Sequence, residues 1–136
     1  MDDAKLIEMA VEAALHAHCP YSHFQVGVAL LASDGKVFCG CNVENASYGL
    51  TICAERVAIC SAVAAGQRHF DAIAIVATSV ATPCGACRQF LAEFVDSGFR
   101  VLIASLSAPD HYQVYTMEEL LPHHFKLEHL QTKESR

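Results

Sequence analysis

Between Asp3 and His18 the apolar residues Leu6, Ile7, Ala10, Val11, Ala14 and Leu15 recur at i, i+3 and i+4 and stop before Pro20, which predicts an amphipathic helix. The period then changes. Phe24 to Leu31 and Lys36 to Val43 flank Ser33-Asp34-Gly35, and an Asp-Gly pair tolerates the positive φ angles of a tight hairpin turn, so two antiparallel strands are expected. Cys53 to Ala65 lacks Pro and Gly, is rich in Ala and is followed by Gly66, as a helix with a glycine stop would be. Asp71 to Thr78 holds the continuous apolar run AIAIVA, suited to a strand covered on both faces. The pair then repeats, with a helix predicted from Pro83 to Gly98 and a buried strand from Val101 to Ser105. A weaker strand, Tyr112 to Thr116, and a short helix, Met117 to Leu121, precede Pro122. The order α, β, β, α, β, α, β, β, α predicts an α/β fold in which one mixed sheet is sandwiched between helices, with right-handed crossovers through the second and third helices. Residues beyond Phe125 are polar and receive no assignment.

Composition narrows the partners. A chain of 136 residues suits a single domain spanning 1–136 with a core of its own. Hydrophobic residues make up 53% and charged residues 18%, more apolar surface than one small domain readily hides, which points to an oligomer. Nine basic against fifteen acidic residues, a formal charge of −6, disfavour a nucleic-acid partner, because a phosphate backbone calls for a basic stripe. The acidic N-terminus MDDAKLIEMA and the lack of a long apolar run predict a soluble, cytoplasmic protein with no membrane partner. Seven cysteines, an odd count, argue for reduced thiols over a disulfide framework.

The spacing of those thiols carries the chemistry. Cys53 opens one predicted helix, and Cys84 and Cys87 open another within Pro83-Cys-Gly-Ala-Cys. Unpaired N–H groups and a partial positive charge at a helix start favour a thiolate, and hence a metal ligand. Cys84 and Cys87 read as half of a zinc site, to which Cys53 adds a third ligand if the strands following the two helices are neighbours. No fourth Cys or His stands at a comparable spacing, and three ligands with an open position describe a catalytic zinc better than a structural one. Glu55, two residues past Cys53, is then a proton shuttle in waiting. By themselves Glu55 and Arg56 would read as a dipole partner and a solvated cation, and Asn42 and Glu44 as turn and surface residues; the surrounding motifs raise them. Cys19, Cys39, Cys41 and Cys60 are expected as small buried hydrophobes. The late histidines His111, His123, His124 and His129 are expected at the surface.

Cys-Ala-Glu followed by Pro-Cys-x-x-Cys is the three-cysteine form of the zinc deaminase signature. With PYSHFQVGVALL, GCNVENASY, ICAER, TPCGACRQ and ELLP followed by Phe125, the chain resembles the small, homotetrameric type of cytidine deaminase over nearly its whole length. The resemblance implies a three-layer α/β/α sandwich with a five-stranded mixed sheet, one Zn²⁺ per subunit, and hydrolysis of cytidine or deoxycytidine to the uracil nucleoside and ammonia in pyrimidine salvage. It implies zinc on Cys53, Cys84 and Cys87, Glu55 as the proton carrier, and Arg56 hydrogen-bonded to the thiolates to offset their charge. It also implies that Asn42 and Glu44 hold the ribose 3′-hydroxyl, that Phe24 packs on the nucleoside and that the Ala54 N–H meets the pyrimidine carbonyl. Tyr48 and Phe125 would complete sites across subunit boundaries. A structural zinc module, a deaminase of nucleic acid and a deaminase of a nucleoside antibiotic such as blasticidin S are the competing readings, the last being nearest because it shares Cys-Ala-Glu and Pro-Cys-Gly-x-Cys. The chain departs from the usual pattern at Val28, where Ala is common, and in a short loop, Ala77 to Thr82, before Pro83.

Overall fold

The computed structural model describes residues 1–127. Its elements are α1 (Asp3–Ala14), β1 (Val26–Ala32), β2 (Val37–Cys41), α2 (Ala54–Ala64), β3 (Phe70–Ala77), α3 (Gly85–Ala92), β4 (Arg100–Ser105), β5 (Ala108–Thr116) and α4 (Met117–Leu120), with a short 3₁₀ turn at Tyr48–Leu50. The five strands form one mixed sheet in the order β2-β1-β3-β4-β5. Only β3 and β4 pair in parallel; the β1–β2, β1–β3 and β4–β5 pairs are antiparallel. The hairpin forms where Asp34-Gly35 calls for it, with Gly35 at φ 94°.

Strand alternation sorts the core into two layers, because successive side chains leave a strand on opposite faces. Ala29, Ala72, Ala74, Val76, Leu102 and Ala104 meet Leu6, Ile7 and Ala10 of α1. Val28, Leu30, Ile73, Ile75, Val101 and Ile103 meet Ala58, Ile59 and Ala62 of α2, Leu91 of α3 and Met117 of α4. This is the three-layer sandwich expected. Two glycines set the depth of the helices. A Cβ on Gly27 would lie 2.0 Å from the Ala10 carbonyl oxygen of α1, and one on Gly40 would lie 2.5 Å from the Ala54 carbonyl oxygen of α2, so each helix rests backbone against backbone on the sheet. Arg100 pins the start of α1 to the first residue of β4 through two hydrogen bonds to the Asp3 carboxylate, at 2.7 and 3.0 Å; these hold the Asp3 carboxyl below its ordinary range.

The structure moves several boundaries. The first helix ends at Ala14, with residues to Ala17 held by turn bonds, and β5 begins at Ala108, ahead of Tyr112. The third helix ends at Ala92 rather than running to Gly98, because Phe94 and Phe99 fold back onto the core and Asp96 accepts from the Gly98 N–H in a tight turn. Cys39 and Cys60 are exposed and Cys19 and Cys41 half-buried, against the expectation that all four are core. Cys39 and Cys41 lie on β2, an edge strand covered only in part. His111 and His123 are exposed as expected, and His124 is half-buried with its Nε2 enclosed and unpartnered; His129 falls outside the described residues. Among the described residues no helix is long and apolar enough to cross a membrane.

Candidate active site

Helices α2 and α3 lead into β3 and β4, which are sheet neighbours running in parallel, so the two helix starts stand side by side. Each start is capped by a cysteine in extended conformation, Cys53 at φ −70°, ψ 150° and Cys84 at φ −66°, ψ 165°. Ser, Thr, Asp or Asn would ordinarily occupy such positions. Cys84 Sγ accepts from the Cys87 N–H at 3.4 Å, and the Cys84 and Cys87 sulfurs are 3.4 Å apart. The Sγ atoms of Cys53, Cys84 and Cys87 lie within 4.8 Å of one another, and among the described residues no fourth ligand joins them. Three sulfurs around one tetrahedral zinc at ~2.3 Å would sit roughly 3.8 Å apart. The cluster fits that ion in donor softness, in number and in spacing.

Charge is shared unequally among the thiols. Cys53 is held down to about 5 by a hydrogen bond from Cys87 and a further one from Arg56, against the opposing effect of burial. Cys87 is pushed up because it serves as donor to Cys53 and is buried beside the Glu55 carboxylate. Of Cys53 and Cys87, Cys53 is therefore the first to ionise. Arg56 Nη2 donates to Cys53 Sγ at 3.6 Å, placing a cation against that sulfur. Glu55 is 5% exposed. Burial raises its carboxyl above the ordinary range, helped by the nearby Cys53 thiolate and opposed by its own backbone N–H and by Arg56.

The cluster opens on a cleft of about 230 Å³ lined by Phe24, Asn42, Ala54 and Glu55, by Cys53 and Cys84, and by Thr82 and Pro83. Asn42 is largely committed to backbone. Its Oδ1 accepts from the Val26 N–H at 3.0 Å and its Nδ2 donates to the Phe24 carbonyl at 2.8 Å, which leaves one amide hydrogen for a ligand. Glu44 faces a second cavity of about 420 Å³ with Tyr21, Ser22, Tyr48 and Thr51. Thr51 borders both spaces. The Glu44 carboxylate accepts from the Ser22 hydroxyl and, at 3.1 Å each, from the Tyr21 and Ser22 N–H groups. The Ser22 hydroxyl above all keeps it below the usual carboxylate range. His23, in the left-handed region at φ 57°, turns the chain there.

The sequence-predicted set therefore divides. Phe24, Asn42, Cys53, Ala54, Glu55 and Cys84 share one cleft with Cys87 buried behind it, Glu44 and Tyr48 share the adjoining cavity, and Phe125 borders neither, lying 58% exposed with its carbonyl held by Gln89 Nε2 at 3.0 Å. β2 stops at Cys41, so Asn42 and Glu44 leave the strand before the alternation that would have put them on one face. Sequence reasoning missed Thr51, Ser22, Thr82 and Arg88. All four sit within or beside quoted motifs, and only their long-range contacts single them out.

Residues 1–103 match the family model described as the cytidine and deoxycytidylate deaminase zinc-binding region. A cytidine deaminase of Halalkalibacterium halodurans is 48% identical over 94% of this chain and 97% of its own length. One from Sporosarcina psychrophila is 45% identical over 96% of each. The crystal structure of a Burkholderia pseudomallei cytidine deaminase superposes with a TM-score of 0.87 at 47% identity, covering 92% of this chain and all of that one. With a zinc-sized thiolate cluster at two paired helix starts and a buried glutamate on the same cleft, the chain belongs to the cytidine and deoxycytidylate deaminase family.

Proposed function

We propose that this protein is a zinc-dependent cytidine deaminase, a single domain over residues 1–136, that hydrolyses cytidine and deoxycytidine to uridine and deoxyuridine with release of ammonia. One observation carries the reading: Glu55 is buried on the cleft beside a cluster of three thiols that no fourth ligand joins among the described residues. A zinc ion on Cys53, Cys84 and Cys87 supplies, when bound, an acidified water as nucleophile. Glu55 takes a proton from the attacking water and gives it to N3 of the pyrimidine as C4 is attacked; it then carries a second proton to the departing amino group. The reaction balances as nucleoside plus water to deaminated nucleoside plus ammonia. The raised pKa of Glu55 suits a group that must both accept and release protons near neutrality. The Ala54 N–H is one of the unpaired donors of the α2 start and meets the pyrimidine carbonyl. Phe24 packs on the nucleoside, and the spare Asn42 amide hydrogen reaches the ribose, with Glu44 taking the 3′-hydroxyl from the adjoining cavity.

A homotetramer with shared sites is part of the proposal. Tyr48 at 75%, Leu50 at 65% and Phe125 at 58% exposure are large apolar side chains with little cover in one chain, and a second copy placing Tyr48 and Phe125 at a neighbouring cleft would bury them. All seven cysteines are free, as suits cytoplasmic pyrimidine salvage in a reducing compartment.

The test is direct. Zinc-loaded protein is incubated with cytidine, deoxycytidine, cytosine, oligonucleotides and blasticidin S, and the ultraviolet change and ammonia are followed. Turnover of the two nucleosides supports the reading; turnover of oligonucleotides or blasticidin S alone overturns it. Arg56→Gln gives a second measurement. Removing the cation beside Cys53 leaves thiolate charge uncompensated, so kcat is expected to fall about tenfold, the equivalent of one charged hydrogen bond, and zinc to leave more readily in chelator competition. Wild-type turnover together with wild-type zinc retention would remove Arg56 from this role.

A further inference from the structure

Arg88 follows the last cysteine of the cluster, yet each of its hydrogen bonds goes to oxygen. Its Nε donates to the Pro83 carbonyl at 2.7 Å, its Nη2 to the Thr82 hydroxyl at 2.9 Å and its Nη1 to the Leu120 carbonyl at 2.6 Å. Thr82 and Pro83 line the cleft and lead directly into Cys84. Leu120 closes α4, so its carbonyl belongs to the terminal acceptors that a helix cannot satisfy itself. One guanidinium thus joins the wall of the site to the end of a helix distant in sequence. Gln89, the next residue, donates to the Phe125 carbonyl at 3.0 Å. Consecutive residues of α3 therefore hold the two ends of the segment from Leu120 to Phe125.

We infer that Arg88, seconded by Gln89, is a positioning residue that couples the Thr82–Pro83 wall of the cleft to the segment bearing Phe125. The inference rests on the deaminase reading above and adds to it a physical link between substrate binding against that wall and the placement of an exposed aromatic ring. A guanidinium suits the task because its donors lie in one rigid plane and reach three acceptors at once, whereas a lysine ammonium is a point charge on a flexible stem. Arg56 and Arg88 divide the labour, the former facing sulfur and the latter facing only oxygen. An arginine that merely stapled the fold would also lose stability on substitution, but the molecules that remained folded would bind substrate normally.

The full-length, zinc-loaded protein is compared with Arg88→Met and Arg88→Lys by steady-state kinetics on cytidine, metal analysis and amide hydrogen exchange. Arg88→Met is expected to raise KM about tenfold, as loss of one charge-assisted contact would, with kcat changed by less than about threefold and zinc content as in the wild type. Exchange should quicken in both 81–83 and 120–125, and Arg88→Lys should leave KM raised. An unchanged KM in Arg88→Met, full recovery in Arg88→Lys, or faster exchange in only one segment would overturn the inference. Should Arg88→Met fail to fold, Gln89→Leu removes a single bond. It is expected to quicken exchange at 120–125 and raise KM about threefold, a smaller step because its donor is neutral, and no change in either would overturn the inference equally. A wild type inactive on both nucleosides would refute the deaminase reading, and the exchange comparison would then decide the coupling by itself.

Discussion

Glu55→Gln is expected to lower kcat on cytidine by about three orders of magnitude, the range that a positioned general acid–base contributes. The substitution is nearly isosteric, and the site it enters is 5% exposed, so little else changes. An amide can accept neither the proton of the attacking water nor hold one for the leaving amine, which removes every proton transfer assigned to this residue. Stability should not suffer. Burial already disfavours the charged carboxylate, as its raised pKa records, and replacing it by a neutral amide removes that cost. The expected pairing is therefore collapse of turnover with a Tm equal to or above that of the wild type, and with zinc still bound, since Glu55 is outside the three-sulfur cluster. Turnover within tenfold of the wild type would show that another group carries the protons.

Gly40→Ala is expected to lower Tm by about 10 °C, from a cost of about 3 kcal/mol for forcing a methyl group into a closed contact. Helix α2 meets the sheet through Ala54, Ala58 and Ala62, all fully buried. Against them a Cβ on Gly40 would stand 2.5 Å from the Ala54 carbonyl oxygen and 2.7 Å from the Ala58 nitrogen. Those are backbone atoms and cannot rotate away, so α2 must lift. Lifting it carries Cys53 and Glu55 away from Cys84 and Cys87, because the cluster spans the starts of two separate helices. Zinc retention in chelator competition should weaken in parallel with Tm. Gly49→Ala is the control, since a Cβ there meets nothing within 4 Å. A Gly40→Ala protein melting within about 2 °C of the wild type would show that the sheet and α2 adjust more freely than close packing allows.

Much of the catalytic chemistry is legible before any coordinates because it is local. Cys53 and Cys84 each stand at a helix start, Glu55 follows two residues after the first, and the flanking periodicity marks those helices and the buried strands after them. Asp34-Gly35 announces its hairpin for the same reason, since φ at Gly35 is decided within a few residues. The sandwich follows from element order, as β–α–β order and apolar runs leave few arrangements.

Other features are settled by contacts across the fold. The third helix stops at Ala92 because Phe94 and Phe99 find the core, a preference invisible to helical periodicity. Cys39 is left exposed and Cys41 half-buried on the edge strand β2, whose place in the strand order is decided by the fold as a whole. Asn42 and Glu44 part into adjoining cavities because β2 ends before them. Arg88 reads as one more polar residue of an amphipathic helix until Leu120 is brought to it. The sequence by itself determined which residues are proposed to carry the metal and the proton, since a helix start is made by its own few residues. Tertiary structure alone decided which of the remaining side chains face the cleft and which brace it, since hydrogen bonds and packing between distant segments exist only once the sheet has assembled.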